Sequence, residues 1–253
     1  MFGTQTTLAF GRGLFKYYPV IVLALDTSTR DGSCALAIGE ELRERGGDPG
    51  LSHAERLPAD LMALLDSSGL RLAEVDVFAV VTGPGSFTGL RVGIAAMQGL
   101  AFAEGKPLIG VSSFDALAAI GGKQALDRRA GGSPPPIATW IDAWRGEIFA
   151  ALYGGGLQLE AASVEAPAAV LDRLIGKHPL FIGDAVPQHV DLIRTRLDEA
   201  TFANPMAPRL AGEVARLAAA AAGAGHQPPP DAIRPLYVRR TDAELSRDAR
   251  AIR

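Results

Sequence analysis

The sequence predicts an α/β fold, and three observations carry that prediction. VIVLAL (Val20–Leu25) is a short, β-branched apolar run and reads as a buried strand, returning after a polar turn as a second strand, Ser33–Ile38. A further apolar run, Val77–Val81, breaks at Thr82-Gly83-Pro84-Gly85 and gives way to helical spacing from about Leu90 to Glu104. Between them, Leu57, Leu61, Leu64 and Leu65 fall on one stripe of a helix spanning Ser52–Ser67. The order strand, strand, helix, strand, helix is that of an α/β lobe.

Taken in order, Met1–Pro19 is polar and aromatic, without the basic-then-apolar plan of a signal peptide, and reads as a disordered extension or an upstream start. The first strand runs into Asp26-Thr27-Ser28-Thr29-Arg30-Asp31-Gly32. Such a turn offers hydroxyls and backbone N–H groups to an oxyanion, and Asp26 at the strand end suits a hydrated metal. An ordinary polar hairpin loop accounts for the same residues. Cys34 lies in an apolar run and reads as core. Gly46–Gly50 is a loop. Ser52 and Glu55 then fit a capping box. Pro58 lies too deep for a first-turn proline and should kink the helix or delay its start. His53 reads as a surface or interface residue.

The stretch from Val80 to Ala103 is the densest in signals. Gly83 and Gly85 allow positive φ and close approach, and Ser86 and Thr88 are natural N-caps. Arg91 follows in the early helix, where the dipole disfavours a cation unless an anion is near. Together they suggest a phosphate-type or carboxylate-type site. Familiar motifs fail on spacing: the third glycine of G-x-G-x-x-G comes one residue late at Gly89, no Gly-Lys precedes Ser or Thr, and Thr88 stands where G-x-S-x-G needs glycine. A tight βα turn whose glycines serve packing remains open. The helix itself is small on nearly every face, with Gly93, Ala95, Ala96, Gly99, Ala101 and Ala103. Helix propensity does not favour so much glycine, but close helix packing does. With an apolar outer side, this helix and Ser52–Ser67 would make a partner surface.

Downstream, Leu108–Val111 reads as a strand and Phe114–Ile120 as a helix capped by Ser112-Ser113. Gly121–Pro136 looks like a hinge. Ile137–Ile141 and Glu147–Tyr153 form a hairpin around Asp142–Gly146, Leu180–Ile182 is a short strand, and Ala207–Ala222 is an alanine-rich helix. Ile233–Arg239 is extended, and the charged end is frayed. The resulting divisions are an extension at 1–19, a first lobe at 20–125, a linker at 126–136, a second lobe at 137–240 and a tail at 241–253.

Composition narrows the function. The 253 residues carry 25 Lys+Arg against 28 Asp+Glu, so no basic surplus points to nucleic acid. One cysteine excludes an internal disulfide and suits a reducing, cytoplasmic setting. No apolar run is long enough for a membrane helix. The four histidines (His53, His178, His189, His226) are isolated, so no metal centre is expected.

VIVLALDTST, HAE, GPGSFTGLRVG, PLIGVSSFDALA, IDAWRGEIF and the terminal PLYVR occur in that order, and with them the chain resembles the TsaB (YeaZ) family over Val20 to about Arg239. The resemblance implies the actin-like/sugar kinase/Hsp70 (ASKHA) ATPase fold, with two βββαβα lobes, the second degenerate. It implies a non-catalytic partner of TsaD, the relative that carries threonylcarbamoyl to an adenosine of tRNA through a metal held by a His-x-x-x-His pair. Laid on VSSFDAL, that pair falls on Ser113 and Leu117, neither of them a good ligand. ATP, metal and threonylcarbamoyl-adenylate would then be handled by partner proteins, with no cofactor here. The small-residue helices would pack on TsaD, or on a second copy in its absence, with TsaE docking on the pair and tRNA met only through the complex. The interface expected is Leu57, Leu61, Leu65, Arg91, Ile94, Ala95 and Gln98. Asp26, Thr27, Ser28, Gly83, Gly85 and Ser86 would be a vestigial phosphate or nucleotide loop. An ATP-dependent phosphotransferase or ATPase centred on Asp26, and a glycoprotease-like peptidase, are the alternatives.

Overall fold

The structure, a computed structural model, describes residues 19–48, 50–127 and 133–238. The expected extension (save Pro19), the charged tail and the middle of the expected linker lie outside the described residues. In chain order the elements are β1 (Ile21–Asp26), β2 (Ser33–Ile38), β3 (Glu41–Gly46), α1 (His53–Ser67), β4 (Val77–Gly83), α2 (Phe87–Ala103), β5 (Leu108–Ser112) and α3 (Ser113–Asp127). They continue with β6 (Ile137–Asp142), β7 (Ile148–Gly154), β8 (Leu157–Gln158), β9 (Ser163–Glu165), α4 (Pro167–Leu174), β10 (Leu180–Ile182), α5 (Val190–Arg196), β11 (Thr201–Phe202) and α6 (Ala211–Gly223).

Two sheets repeat one plan. The first has the order β3-β2-β1-β4-β5, antiparallel through the β1–β3 meander and parallel from β1 onward. The second has the order β11-β10-β6-β7-β8, with β9 also on β7 and the same switch from antiparallel to parallel at β6. Its outer strands shrink to two or three residues, so the second copy is the degenerate one. This is a duplicated α/β plan, the two-lobe arrangement that the family resemblance implies.

Burial explains why these residues make these strands. β1 and β4 are central and covered on both faces, so they read as unbroken apolar runs. One face, with Leu23, Leu25, Phe78 and Val80, packs on α1 and α2. The other, with Val22, Ala24, Ala79 and Val81, meets a layer shared by both sheets. In that layer α6 lies on β1, β2 and β4, while α3 lies on β6 and β10, so each helix packs on the sheet of the opposite lobe. A third cluster beyond the second sheet holds Trp140 and Phe181 against Leu171, Leu174 and Ile193 of α4 and α5.

Several boundaries differ from the sequence reading. β3 (ELRERG) is an edge strand whose charges face water, so no apolar alternation reveals it. α1 starts at His53 and runs through Pro58, whose start is therefore not delayed. α2 starts at Phe87 and α6 at Ala211. α3 does not stop at Ile120 but continues through Gly121-Gly122 to Asp127. A β-carbon on Gly121 would lie 2.7 Å from Ile137 Cγ2, so this glycine admits the helix to the second sheet instead of ending it.

The last described segment returns to the first lobe, although the sequence groups it with the second. Leu236 N–H donates to the Thr82 carbonyl at 2.8 Å, and Leu108 N–H donates to the Pro228 carbonyl at 3.4 Å. Among the described residues no helix is long and apolar enough to cross a membrane.

Candidate functional site

The β1–β2 turn and the start of α2 form the centre that the sequence singles out. Asp26 closes β1 and is only 2% exposed. Its Oδ1 accepts from Ser28 N–H at 2.8 Å and from Ser28 Oγ at 2.6 Å. Burial pushes the Asp26 carboxyl above its ordinary range, and the Ser28 bonds oppose that push. Ser86 N–H donates to the Ser28 carbonyl at 2.7 Å, and Ser86 Oγ caps α2 by accepting from Gly89 N–H at 3.2 Å. A β-carbon on Gly85 would sit 2.6 Å from the Ser28 carbonyl oxygen; one on Gly89 would overlap the Thr27 carbonyl, and one on Gly93 the Thr27 hydroxyl. Helix α2 is therefore pressed onto Thr27-Ser28 through its glycines. Thr27 and Ser28 are buried, and their hydroxyls face protein. Gly83, Gly85 and Ser86 join this contact, with a Gly83 β-carbon meeting Leu90 at 2.9 Å. Arg91 is not part of the turn. It is exposed and engages Phe87 and Tyr237.

The expected interface residues divide by burial. Leu57, Leu61, Leu65 and Ile94 lie inside the core between α1, α2 and the first sheet, each less than 5% exposed. This corrects the expectation that they meet a partner: the apolar stripe of α1 is spent on its own sheet. Arg91 and Ala95 are exposed and Gln98 is half-buried. The outer face is completed by residues outside that expected set: Phe102 (81% exposed), Met62, Gly99 and Ala103.

Two polar groups also escaped the sequence reading. Arg56, buried on α1, donates through Nη1 to Asp60 Oδ2 at 2.9 Å and through Nη2 to the Asp31 carbonyl. His53 Nε2 lies 3.0 Å from the Thr29 carbonyl oxygen, so Nε2 carries the proton and Nδ1 accepts from Arg56 Nη2 at 2.8 Å. Burial, then the Arg56 charge, holds the imidazole below its ordinary pKa. His53 is thus a tie between α1 and the β1–β2 turn. The second group is acidic. Asp142 N–H donates to Asp184 Oδ1 at 3.1 Å, and burial, with the charges of Asp142 and Asp26 adding, pushes the Asp184 carboxyl to about 6. The signal was present in the sequence as an acid at or just past the end of β1, β6 and β10.

Comparison with known proteins places this geometry. A family model described as "TsaD: tRNA N6-adenosine threonylcarbamoyltransferase" matches residues 50–180. An uncharacterized Mycobacterium tuberculosis protein is 33% identical over 226 residues, 88% of this chain and 93% of that one. Escherichia coli tRNA threonylcarbamoyladenosine biosynthesis protein TsaB is 34% identical over 132 residues, 52% of this chain and 54% of its own length. The Pseudomonas aeruginosa YeaZ structure superposes with a TM-score of 0.67 at 27% identity, over 86% of this chain and 99% of that one. The chain belongs to the TsaB/YeaZ family.

The resemblance lays the His-x-x-x-His pair on Ser113 and Leu117, and both positions are closed. Ser113 is fully buried and its Oγ donates to the Pro84 carbonyl at 2.8 Å, while Leu117 sits in the inter-sheet core. Both side chains are structural. Among the described residues no three His, Cys, Asp or Glu side chains are grouped so as to hold a metal ion, the Asp26, Asp142 and Asp184 set included.

Proposed function

We propose that this chain is the non-catalytic subunit that binds TsaD and supports threonylcarbamoyladenosine formation in tRNA. The observation that carries this reading is the outer face of α1 and α2. Ala95, Gly99 and Ala103 recur every four residues and are exposed, beside Phe102 and Met62. Among the described residues nothing beyond its own turn of helix lies within 4 Å of the place where a Gly99 β-carbon would stand. An exposed mid-helix glycine costs about 1 kcal/mol relative to alanine, and a partner helix approaching closely gives it a use. The family model and the TsaB relatives point to TsaD as that partner. A second copy of the chain would take the same face when TsaD is absent, and TsaE would dock on the assembled pair. ATP, metal and threonylcarbamoyl-adenylate are then the business of the partners, and tRNA is met through the complex. Thr27 and Ser28, enclosed by α2, weigh against a phosphotransferase reading.

The test is reconstituted tRNA modification with TsaD, TsaE and the threonylcarbamoyl-adenylate synthase, with and without this chain. Product that requires the chain, and is lost with Ala95→Glu or Phe102→Glu along with TsaD co-elution, is expected. Equal product in its absence overturns the reading.

A further inference from the structure

The partner face has a charged end whose geometry is set by the far end of the chain. The Arg91 guanidinium carbon lies 3.8 Å from the centroid of the Phe87 ring, and Arg91 Nε donates to the Tyr237 hydroxyl at 3.1 Å. Phe87 and Tyr237 pack with their centroids 5.4 Å apart. Tyr237 arrives on the returning segment 228–238, which is fastened by the Leu236–Thr82 bond and by Gln98 Nε2, donating to the Pro230 carbonyl at 2.9 Å and the Ile233 carbonyl at 3.2 Å. Arg91, Phe87 and Tyr237 are all exposed. The guanidinium is thus held by a ring face and a hydroxyl, and among the described residues no carboxylate pairs with it.

This arrangement is costly unless it is used. A cation this near the start of a helix gains nothing from the helix dipole, and among the described residues no carboxylate neutralises it. With Nε spent on Tyr237, the two Nη groups remain to grip both oxygens of a carboxylate. Arg91 also stands four residues before Ala95 and eight before Gly99, on the same row of the helix. A helix lying along Ala95 and Gly99 therefore passes over Arg91.

We propose that Arg91, clamped between Phe87 and Tyr237, is a preformed receptor for a carboxylate side chain on the TsaD helix that docks along Ala95 and Gly99. The proposal rests on the reading of α1–α2 as the TsaD face. It makes residues 228–238 a part of that face, through Tyr237 and through Gln98, whose amide is committed to the chain's own backbone. Arg91 then sets the register of the partner helix while the small residues set its distance.

The test is calorimetric binding of the full chain to TsaD from the same organism at two salt concentrations, with melting curves for every variant. Arg91→Gln is expected to weaken binding roughly 10- to 100-fold and to flatten its salt dependence, the loss of a charge-assisted bidentate contact. Tyr237→Phe, which removes only the hydroxyl, is expected to weaken binding about 2- to 10-fold with the salt dependence kept. Arg91→Lys retains the charge without the fork, and is expected to fall between wild type and Arg91→Gln. Wild-type binding with unchanged affinity and salt slope in Arg91→Gln and Tyr237→Phe overturns the receptor and leaves the TsaD face standing. Arg91→Lys equal to wild type overturns the bidentate clamp. Failure of the wild-type chain to bind TsaD at all overturns the face and the receptor together.

Discussion

Gly93 of α2 faces Thr27 of the β1–β2 turn so closely that a β-carbon on the glycine would overlap the threonine hydroxyl. That hydroxyl is buried and has no hydrogen-bond partner among the described residues. A residue kept for phosphate binding would aim its hydroxyl at a cavity, whereas this one is packed on a helix. Thr27→Val keeps the shape and removes an unsatisfied polar atom, so stability is expected to be unchanged or to rise by up to about 1 kcal/mol in urea unfolding. Gly89→Ala brings a β-carbon into the Thr27 carbonyl, backbone that cannot rotate away, and is expected to cost about 1–3 kcal/mol. A large loss from Thr27→Val would show instead that the hydroxyl has a bonded role.

Asp184 makes a prediction with a definite sign. Its folded pKa, about 6, stands above the ordinary 3.8, so the neutral carboxyl suits the fold. Its contribution is complete below about 4 and is lost as the pH rises through 6. Asp184→Asn keeps an oxygen for the Asp142 N–H and removes the buried charge. It is expected to be more stable than wild type at pH 7 by about 1–3 kcal/mol, and to lack the decline between pH 4 and 6. Identical pH profiles for the two proteins would disprove this account.

His53 acts in the opposite direction. Its folded pKa lies below the ordinary 6.5, so the unfolded chain binds the extra proton first. The tie to Thr29 and Arg56 is complete above 6.5 and weakens as the pH falls below it. His53→Gln is expected to remove that part of the acid sensitivity in denaturant titrations from pH 7.5 to 5.5. Arg56→Met leaves Asp60 with only the more exposed Arg45, 3.6 Å away, and is expected to cost about 1–3 kcal/mol at pH 7, short of the cost of a buried charge with no partner.

How far the sequence foretold these features depends on the range of the interaction. The central strands β1 and β4 were legible as the runs Val20–Leu25 and Val77–Val81 because burial on both faces from Val22 and Val77 onward leaves only apolar residues, although Val20 itself is exposed and lies before β1. The Ser86 cap was legible because capping is decided within three residues. The stripe Leu57, Leu61, Leu65 was legible as apolar but not as to what it covers, since periodicity marks a face without naming the neighbour. Gly121 looked like a break because its reason, Ile137, lies 16 positions away in another sheet. Residues 233–238 are extended, as the sequence suggests, but their return to β4 and α2 depends on Thr82, Gln98 and Arg91, contacts more than 130 positions apart.

The outer row of α2 separates stability from association. Gly99 is helical and exposed, and Gly99→Ala meets no clash among the described residues. It is expected to raise the stability of the isolated chain by about 0.5–1 kcal/mol through helix propensity. The same methyl group would hold a docking helix away, so co-elution with TsaD, or self-association when the chain is alone, is expected to weaken. Leu61→Ala lies under the helix and should do the reverse, costing about 2–5 kcal/mol of stability and weakening association only as the fold is lost. Measuring melting and sedimentation on both variants gives two opposed patterns. A Gly99→Ala chain that is both more stable and fully competent to associate would move the partner off this row of α2.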